Sequence, residues 1–211
     1  MKNTKFIRKL PRYYRYLKEQ FEFGKEYISS TELAELMNIS PSQIRQDFNK
    51  LYYTGYHGIG YNIKGLLQEI ERIFDLKTRK NLIIVGAGNL GQTLCNYKEI
   101  YNCGFEIKAL FDVNPKVVSL VINGIKVYDV DKMEELIKKE NITTAILSTP
   151  MEVTQKVAKN LYSYGVRTFL NFNPVFFDLP SDVVIENVHI DDNLMMLSYK
   201  NKLLAEKKKT N

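Results

Sequence analysis

Cysteine and histidine are scarce here, with two of each in 211 residues. Cys95 and Cys103 cannot make a disulfide framework, and with only His57 and His189 beside them no metal cluster is expected. Both thiols read as small buried or half-buried residues, and a reducing, cytoplasmic setting fits best. No apolar run approaches the roughly 20 residues that span a bilayer, and no apolar signal region follows the lysine-rich start. Membrane insertion and export are therefore not expected. Repeats and low-complexity tracts are absent as well. What remains is ordinary for a globular chain: 45% hydrophobic and 26% charged residues, enough apolar surface for packed cores, which excludes wholesale disorder. The length suits two domains.

The net charge of +6 is unevenly placed. Residues 1–80 hold 15 Lys and Arg against 9 Asp and Glu, whereas residues 81–211 hold 15 of each. All of the excess lies in the first two-fifths of the chain. This asymmetry points to a basic module that meets a polyanion, joined to a neutral module with another task.

Residues 6–22 have helical spacing, with Ile7, Leu10, Tyr14 and Leu17 on one stripe. Pro11 inside that stretch predicts a kink or a late start, and Gly24 ends it. Ser29-Ser30-Thr31-Glu32 has capping-box spacing and opens a short helix containing Leu33, Ala34, Leu36 and Met37. Ser40-Pro41-Ser42-Gln43 opens another, with Ser40 as N-cap and Pro41 at the first helical position, running to about Tyr52. Two short helices joined by a tight turn, the second sharply capped, form a helix-turn-helix. The second helix buries Ile44, Phe48 and Leu51 and leaves Ser42, Gln43, Arg45, Gln46, Asn49 and Lys50 outward. Those side chains can hydrogen-bond base edges and phosphates in a major groove. The glycine-studded stretch from Gly55 to Tyr61 suits a β-hairpin wing, with His57 and Tyr61 as further candidate DNA contacts. Helical spacing returns from Asn62 to Phe74.

Beyond a charged boundary at Asp75–Lys80, strands are expected at 82–85, 107–111, 125–128, 144–147, 167–170 and 183–188. Helices at 90–97, 133–139 and 153–164 alternate with them, the pattern of a doubly wound, Rossmann-like parallel sheet. The domains expected are thus 1–78, a winged helix, 79–190, the sheet, and 191–211, a last helix. That helix carries an apolar stripe through Leu194, Leu197, Leu203 and Leu204 with no home in a completed sheet, so it could pack on the partner in a dimer.

Gly86-Ala87-Gly88-Asn89-Leu90-Gly91 follows the strand Leu82-Ile83-Ile84-Val85 and opens a helix. In that setting a GxGxxG loop lets backbone approach a pyrophosphate, which the helix N-terminus attracts. Asp112, 21 residues after Gly91 at the end of the next strand, can bind ribose hydroxyls, with Val113 beside it. No arginine or lysine follows Asp112 directly, which favours NAD+ and NADH over their phosphorylated forms, although Lys116 is near. Thr149-Pro150 and Asn171-Phe172 follow later strands, where open sheets bind ligands; helix capping would explain Thr149 equally well. A dehydrogenase needs an acid or base near the nicotinamide. His57 and His189 are badly placed for that, and Tyr97 has no lysine in a Tyr-x-x-x-Lys arrangement. No catalytic role is expected, and the cofactor reads as a ligand to be sensed.

With these features in view, the chain strongly resembles the Rex family of redox-sensing transcriptional repressors. The matching stretches are Leu10-Pro11-Arg12-Tyr13-Tyr14-Arg15, Gln43-Ile44-Arg45-Gln46-Asp47, Gly58-Ile59-Gly60-Tyr61, the Val85–Gly91 loop, Phe111-Asp112-Val113 and Leu170-Asn171-Phe172-Asn173-Pro174-Val175. The resemblance implies a homodimer that binds an inverted-repeat operator in double-stranded DNA and releases it when NADH binds, with the last helix exchanged between subunits. It assigns Tyr97 to the redox response, and Thr149, Pro150, Asn171 and Phe172 to the cofactor pocket. It also makes Arg15 a link between the two domains. The position of that arginine's acidic partner is held by His189, with Asp191 or Asp192 a small shift away, and His57 stands where an arginine is common in the wing. Two alternatives share the sheet: an NAD-dependent oxidoreductase whose N-terminal module only dimerises, and a binding protein for coenzyme A or another nucleotide.

Overall fold

The computed structural model describes residues 4–210, with side chains to 207. Residues 1–3 and 211, which the first and last expected domains include, lie outside the described residues. The chain divides into two compact units, Met1–Thr78 and Arg79–Asn211.

In the first unit the expected helix over 6–22 is two helices. A short α1 (Thr4–Ile7) precedes α2 (Leu10–Glu22), which has Pro11 in its first turn. Proline is harmless there because that N–H has no intrahelical partner, so the late start is the outcome. A strand β1 (Tyr27–Ile28) leads to α3 (Ser30–Met37) and α4 (Pro41–Lys50). Both N-caps form as the sequence requires: Ser29 accepts from Glu32 N, and Ser40 from Gln43 N. The α3–α4 turn passes through Asn38 in a left-handed conformation. A second short strand, β2 (Tyr61–Asn62), pairs antiparallel with β1 and runs into α5 (Ile63–Phe74). Leu10, Leu17, Leu33, Ile44, Ile63 and Leu66 are fully buried in one core, each contributing about 1.5–3 kcal/mol by leaving water.

The wing differs from the expected hairpin. It has a single antiparallel bridge, Tyr56 to Gly60, and its pairing strength lies instead in β1 and β2. The crossing is close: a Cβ on Gly60 would meet the Ile28 carbonyl oxygen at 2.5 Å. A strand as short as β1 has no periodicity to read, which is why the sequence did not disclose it.

The second unit begins with β3 (Lys80–Val85), α6 (Asn89–Cys95), α7 (Lys98–Asn102) and β4 (Phe105–Asp112). Next come β5 (Val121–Ile122), β6 (Ile125–Asp129), a 3-10 turn and α8 (Met133–Lys139). Then follow β7 (Thr144–Leu147), α9 (Met151–Tyr164), β8 (Thr168–Asn171), β9 (Val184–Asn187) and α10 (Ile190–Thr210). The sheet order is β5-β6-β4-β3-β7-β8-β9, parallel except for the β5 edge. The order reverses on either side of β3, which opens a crevice at its C-terminal end.

Two crossovers, β4 to β6 and β8 to β9, contain no helix. Phe177, Leu179 and Val183 of the second pack on the α8–α9 side of the sheet in place of one. The opposite face is covered only in part. Over β3, β4, β7, β8 and β9 a hollow of about 540 Å³ is lined by Leu82, Tyr97, Ile100, Phe105, Ile146 and Leu170. In α10 every described side chain, from Ile190 to Lys207, is exposed, including Leu194, Met195, Leu197 and Leu204.

Candidate functional site

In the first unit α4 presents a continuous polar stripe. Ser42, Arg45, Gln46 and Asn49 are exposed along it and Gln43 is half-buried. The Arg45 guanidinium donates to Ser30 Oγ (3.0 Å) at the start of α3, which aims it across the turn. Two candidates change character. Tyr61 is a core residue at 8% exposure, its ring edge-on to Phe48 with centroids 4.8 Å apart; its burial raises the phenol's pKa. It closes the wing base and does not reach out to DNA. Lys50 is held to one side of the stripe, 3.3 Å from Asp47 Oδ1 with its ammonium over the Phe6 ring at 5.4 Å, while 45% of its side chain stays exposed. His57 is exposed within the wing turn.

Asp47 was not among the candidates, yet it organises this unit. Its side chain is fully buried and accepts from Tyr13 Oη (2.9 Å), Lys9 Nζ (3.0 Å) and Lys50 Nζ. Burial alone would push its carboxyl up, but the three donors outweigh that and hold it below the ordinary aspartate range. The same contact, added to burial, raises Tyr13. The sequence carried a signal: position 47 falls on the α4 face shared by Ile44, Phe48 and Leu51, where a charge needs partners.

In the second unit the glycine loop sits at the crevice. Gly86 has φ +101°, and a Cβ there would meet the Ser148 carbonyl oxygen at 2.5 Å; one on Gly91 would run into the Gly86 carbonyl. A Cβ on Gly88 would meet nothing within 4 Å. Two glycines are therefore required for packing the loop against β7 and α6, while the third leaves backbone open to a ligand. Asp112 Oδ2 accepts from Ala87 N (2.6 Å) and Oδ1 from Asn114 N (2.8 Å), so the carboxylate is fixed against the loop. Asn89, Leu90 and Val113 are exposed around it.

Behind the loop lies a polar frame that the sequence did not reveal. Ser148 Oγ donates to Gly86 O (2.9 Å), and Gln92 Nε2 to Ala87 O (2.8 Å). Asn173 Nδ2 donates to Thr149 O and Thr154 Oγ1, both at 2.8 Å. Position after a strand was the available signal for Ser148 and Asn173. Asn171, expected in the pocket, belongs to this frame: it is fully buried and donates to Asn173 O and Asn187 Oδ1. Thr149 does not cap α9; the N-cap residue is Pro150, without a side-chain bond, and Thr149 Oγ1 lies 3.0 Å from Thr154 Oγ1. Phe172 is half-buried against the apolar cluster on the α6 side that contains Ile84, Ala87 and Leu110.

Tyr97 is not brought to the loop within this chain. It precedes α7, 55% exposed, at the edge of the apolar hollow over the sheet and at the far end of α6 from the glycines. Arg15 is exposed on α2 of the first unit; His189, half-buried, and Asp191, exposed, stand at the start of α10 in the second. Among the described residues no group of His, Cys, Asp and Glu could hold a metal ion, and no helix is long and apolar enough to cross a membrane.

A helix-turn-helix with an outward polar stripe and a sheet with a glycine-loop crevice, in one chain, define the class of nucleotide-responsive transcription regulators. Over 194 residues, 92% of this chain and 87% of its relative, the sequence is 42% identical to the redox-sensing transcriptional repressor Rex of Caldanaerobacter subterraneus subsp. tengcongensis. It is also 42% identical to that of Clostridium botulinum (strain Hall), over 91% of each chain. The chain belongs to the Rex family of redox-sensing transcriptional repressors. Residues 4–49 match a family described as a putative DNA-binding protein N-terminus, and residues 77–175 one described as a CoA binding domain. Among solved structures, RSP, a Rex-family repressor, is similar at 39% identity. It superposes with a TM-score of 0.89 in complex with β-NADH and 0.87 in complex with β-NAD+ and operator DNA. Those matches cover 99% of this chain and 98% of RSP in the first case, and 100% and 98% in the second.

Proposed function

We propose that the chain is a homodimeric repressor that holds an inverted-repeat operator when NAD+ prevails and releases it when NADH binds. The observation that carries this is the glycine loop in the β3 crevice: Gly88 open, Gly86 and Gly91 packed, and Asp112 fixed against Ala87 N. Such a cradle fits a dinucleotide, with the open backbone at Gly88 facing the pyrophosphate, Gly86 and Gly91 shaping the loop that presents it, and Asp112 facing the ribose hydroxyls. Thr149, Pro150 and Phe172 would flank the remainder. Ser42, Gln43, Arg45, Gln46 and Asn49 would read one half-site, with His57 on adjacent backbone.

The dimer reading is supported by two surfaces without cover: the wholly exposed α10 and the apolar hollow over β3, β4, β7, β8 and β9. An exchanged α10 would bury both. Tyr97 lines that hollow, so a role in the redox response would run through the partner subunit. Arg15, with His189 or Asp191, would then link DNA-binding and cofactor units. A protein that acts on operators works where the chromosome is, which supports a cytoplasmic setting.

NADH differs from NAD+ by a hydride and one positive charge, and only a differential affinity for the two dimer states can shift the equilibrium. By linkage, operator DNA weakens NADH binding by the factor by which NADH weakens operator binding. The test is operator binding followed by anisotropy, with NAD+, NADH, NADPH and coenzyme A added in turn. Release by NADH alone is expected; release by coenzyme A would favour the other ligand class. Arg45→Ala should weaken operator binding about tenfold or more, at roughly 1–3 kcal/mol per lost bidentate base contact, and leave NADH affinity unchanged. Asp112→Ala should blunt the NADH response while DNA binding persists. Operator binding unaffected by Arg45→Ala would exclude α4 as the reader.

A further inference from the structure

The positive charge of the first unit is concentrated more tightly than its total suggests. From Lys2 to Lys18 the chain carries seven cations, and its first acid is Glu19. Arg12 is exposed but engaged, donating to the Met37 carbonyl that ends α3. Lys5 lies on α1, Arg8 and Lys9 lie in the turn that leads into α2, and all three are exposed.

The buried Asp47 fixes where this cluster lies relative to the reading stripe. One carboxylate takes Lys9 on Oδ2 and Lys50 on Oδ1, so two ammonium groups from separate elements share one site. Each of those lysines keeps 45% of its side chain exposed. Two cations against one carboxylate leave a net positive charge open to water. Lys50 lies roughly 80° around α4 from Ser42, on the flank facing α1, where Phe6 holds it from below. The other flank of the stripe is set by Arg45 and Ser30. A helix in a groove about 12 Å wide has phosphates along both lips.

We propose that Lys9 and Lys50, clasped by Asp47, together with Arg8 and Lys5, grip the phosphates on the lip of the major groove that faces α1. Asp47 serves as a positioning residue for that grip. The inference rests on the DNA-binding reading of α4 and adds contacts to flanking backbone that carry no sequence information. It makes affinity depend on DNA outside the bases that α4 reads.

The experiment uses the full-length protein and a duplex carrying an inverted repeat that the protein itself has selected from a random pool, with a scrambled duplex alongside. Affinity is followed over a salt series. Each lost phosphate contact lowers the slope of log K against log salt by about 0.9. Arg8→Gln and Lys9→Gln should each do so and weaken both duplexes by the same factor, and Lys9→Arg should restore the slope. Arg45→Ala should instead narrow the gap between selected and scrambled DNA. Asp47→Asn discriminates further. If the carboxylate merely screened the lysines, its loss would raise affinity and slope; as a positioning group, its loss lowers both. Arg8 is exposed, so its variant reports even if changes at Asp47 or Lys9 reduce the folded fraction. Unchanged slopes for both Arg8→Gln and Lys9→Gln, with Arg45→Ala still costly, would overturn the lip contact and leave the reader intact. Should Arg45→Ala also be neutral, the DNA reading itself would fall.

Discussion

At the scale of single residues, the least comfortable position is Tyr52. It follows α4 with φ +55°, a left-handed conformation, and is 96% exposed. That backbone costs a non-glycine residue about 1–2 kcal/mol, and so exposed a ring recovers almost nothing by packing. Tyr52→Gly removes the strain but returns freedom to the unfolded chain, worth about 0.4–1 kcal/mol. The expected outcome is a gain of about 0.5–1 kcal/mol, seen as a thermal midpoint higher by a few degrees. An unchanged or lower midpoint would mean that the ring is held by something other than its own backbone. Tyr61 shows the opposite case: an aromatic beside a glycine turn, expected to face DNA, is drawn under Phe48 because the close β1–β2 pairing turns it inward.

At the scale of elements, the Asp47 cluster joins α2 to α4, and its strength depends on pH. A carboxyl held below its unfolded value stabilises the fold at pH above the ordinary aspartate range, and that contribution is lost as pH falls through the folded value. Asp47→Asn should therefore cost on the order of 3 kcal/mol near neutral pH. The gap from the parent should close below about pH 4. Urea titrations of both proteins at neutral and acid pH check this; a gap independent of pH would show that the charge is not what matters. Much of this architecture is legible in sequence because its causes are local. Ser29 and Ser40 announce their helices by the caps they make, and four apolar residues at 82–85 announce the central strand. What the sequence withheld depends on partners distant along the chain. β1 exists only because β2 pairs with it. Asn171 and Asn173 acquire their roles only when Asn187, Thr149 and Thr154 come alongside. The helix expected over 90–97 stops at Cys95, where Asn96 turns the chain into α7.

At the scale of the whole molecule, α9 and the β8–β9 crossover both cover the α8–α9 side of the sheet, so the opposite face over β7, β8 and β9 is left bare, and α10 is exposed along all its described side chains. Leu197→Glu on α10 should therefore leave each subunit folded but shift sedimentation toward monomer, and operator affinity should fall with it because one head reads only half a palindrome. A dimer unaffected by this change would place the interface elsewhere. The bare face has a further consequence for how such a protein is made. While a ribosome is still translating the last helix, the growing polypeptide shows water an oily patch that, on the dimer reading, a second polypeptide shields. Where subunit levels fall below the dissociation constant of such a dimer, promoter silencing would respond steeply to gene dosage, because there halving synthesis cuts the yield of paired molecules by more than half.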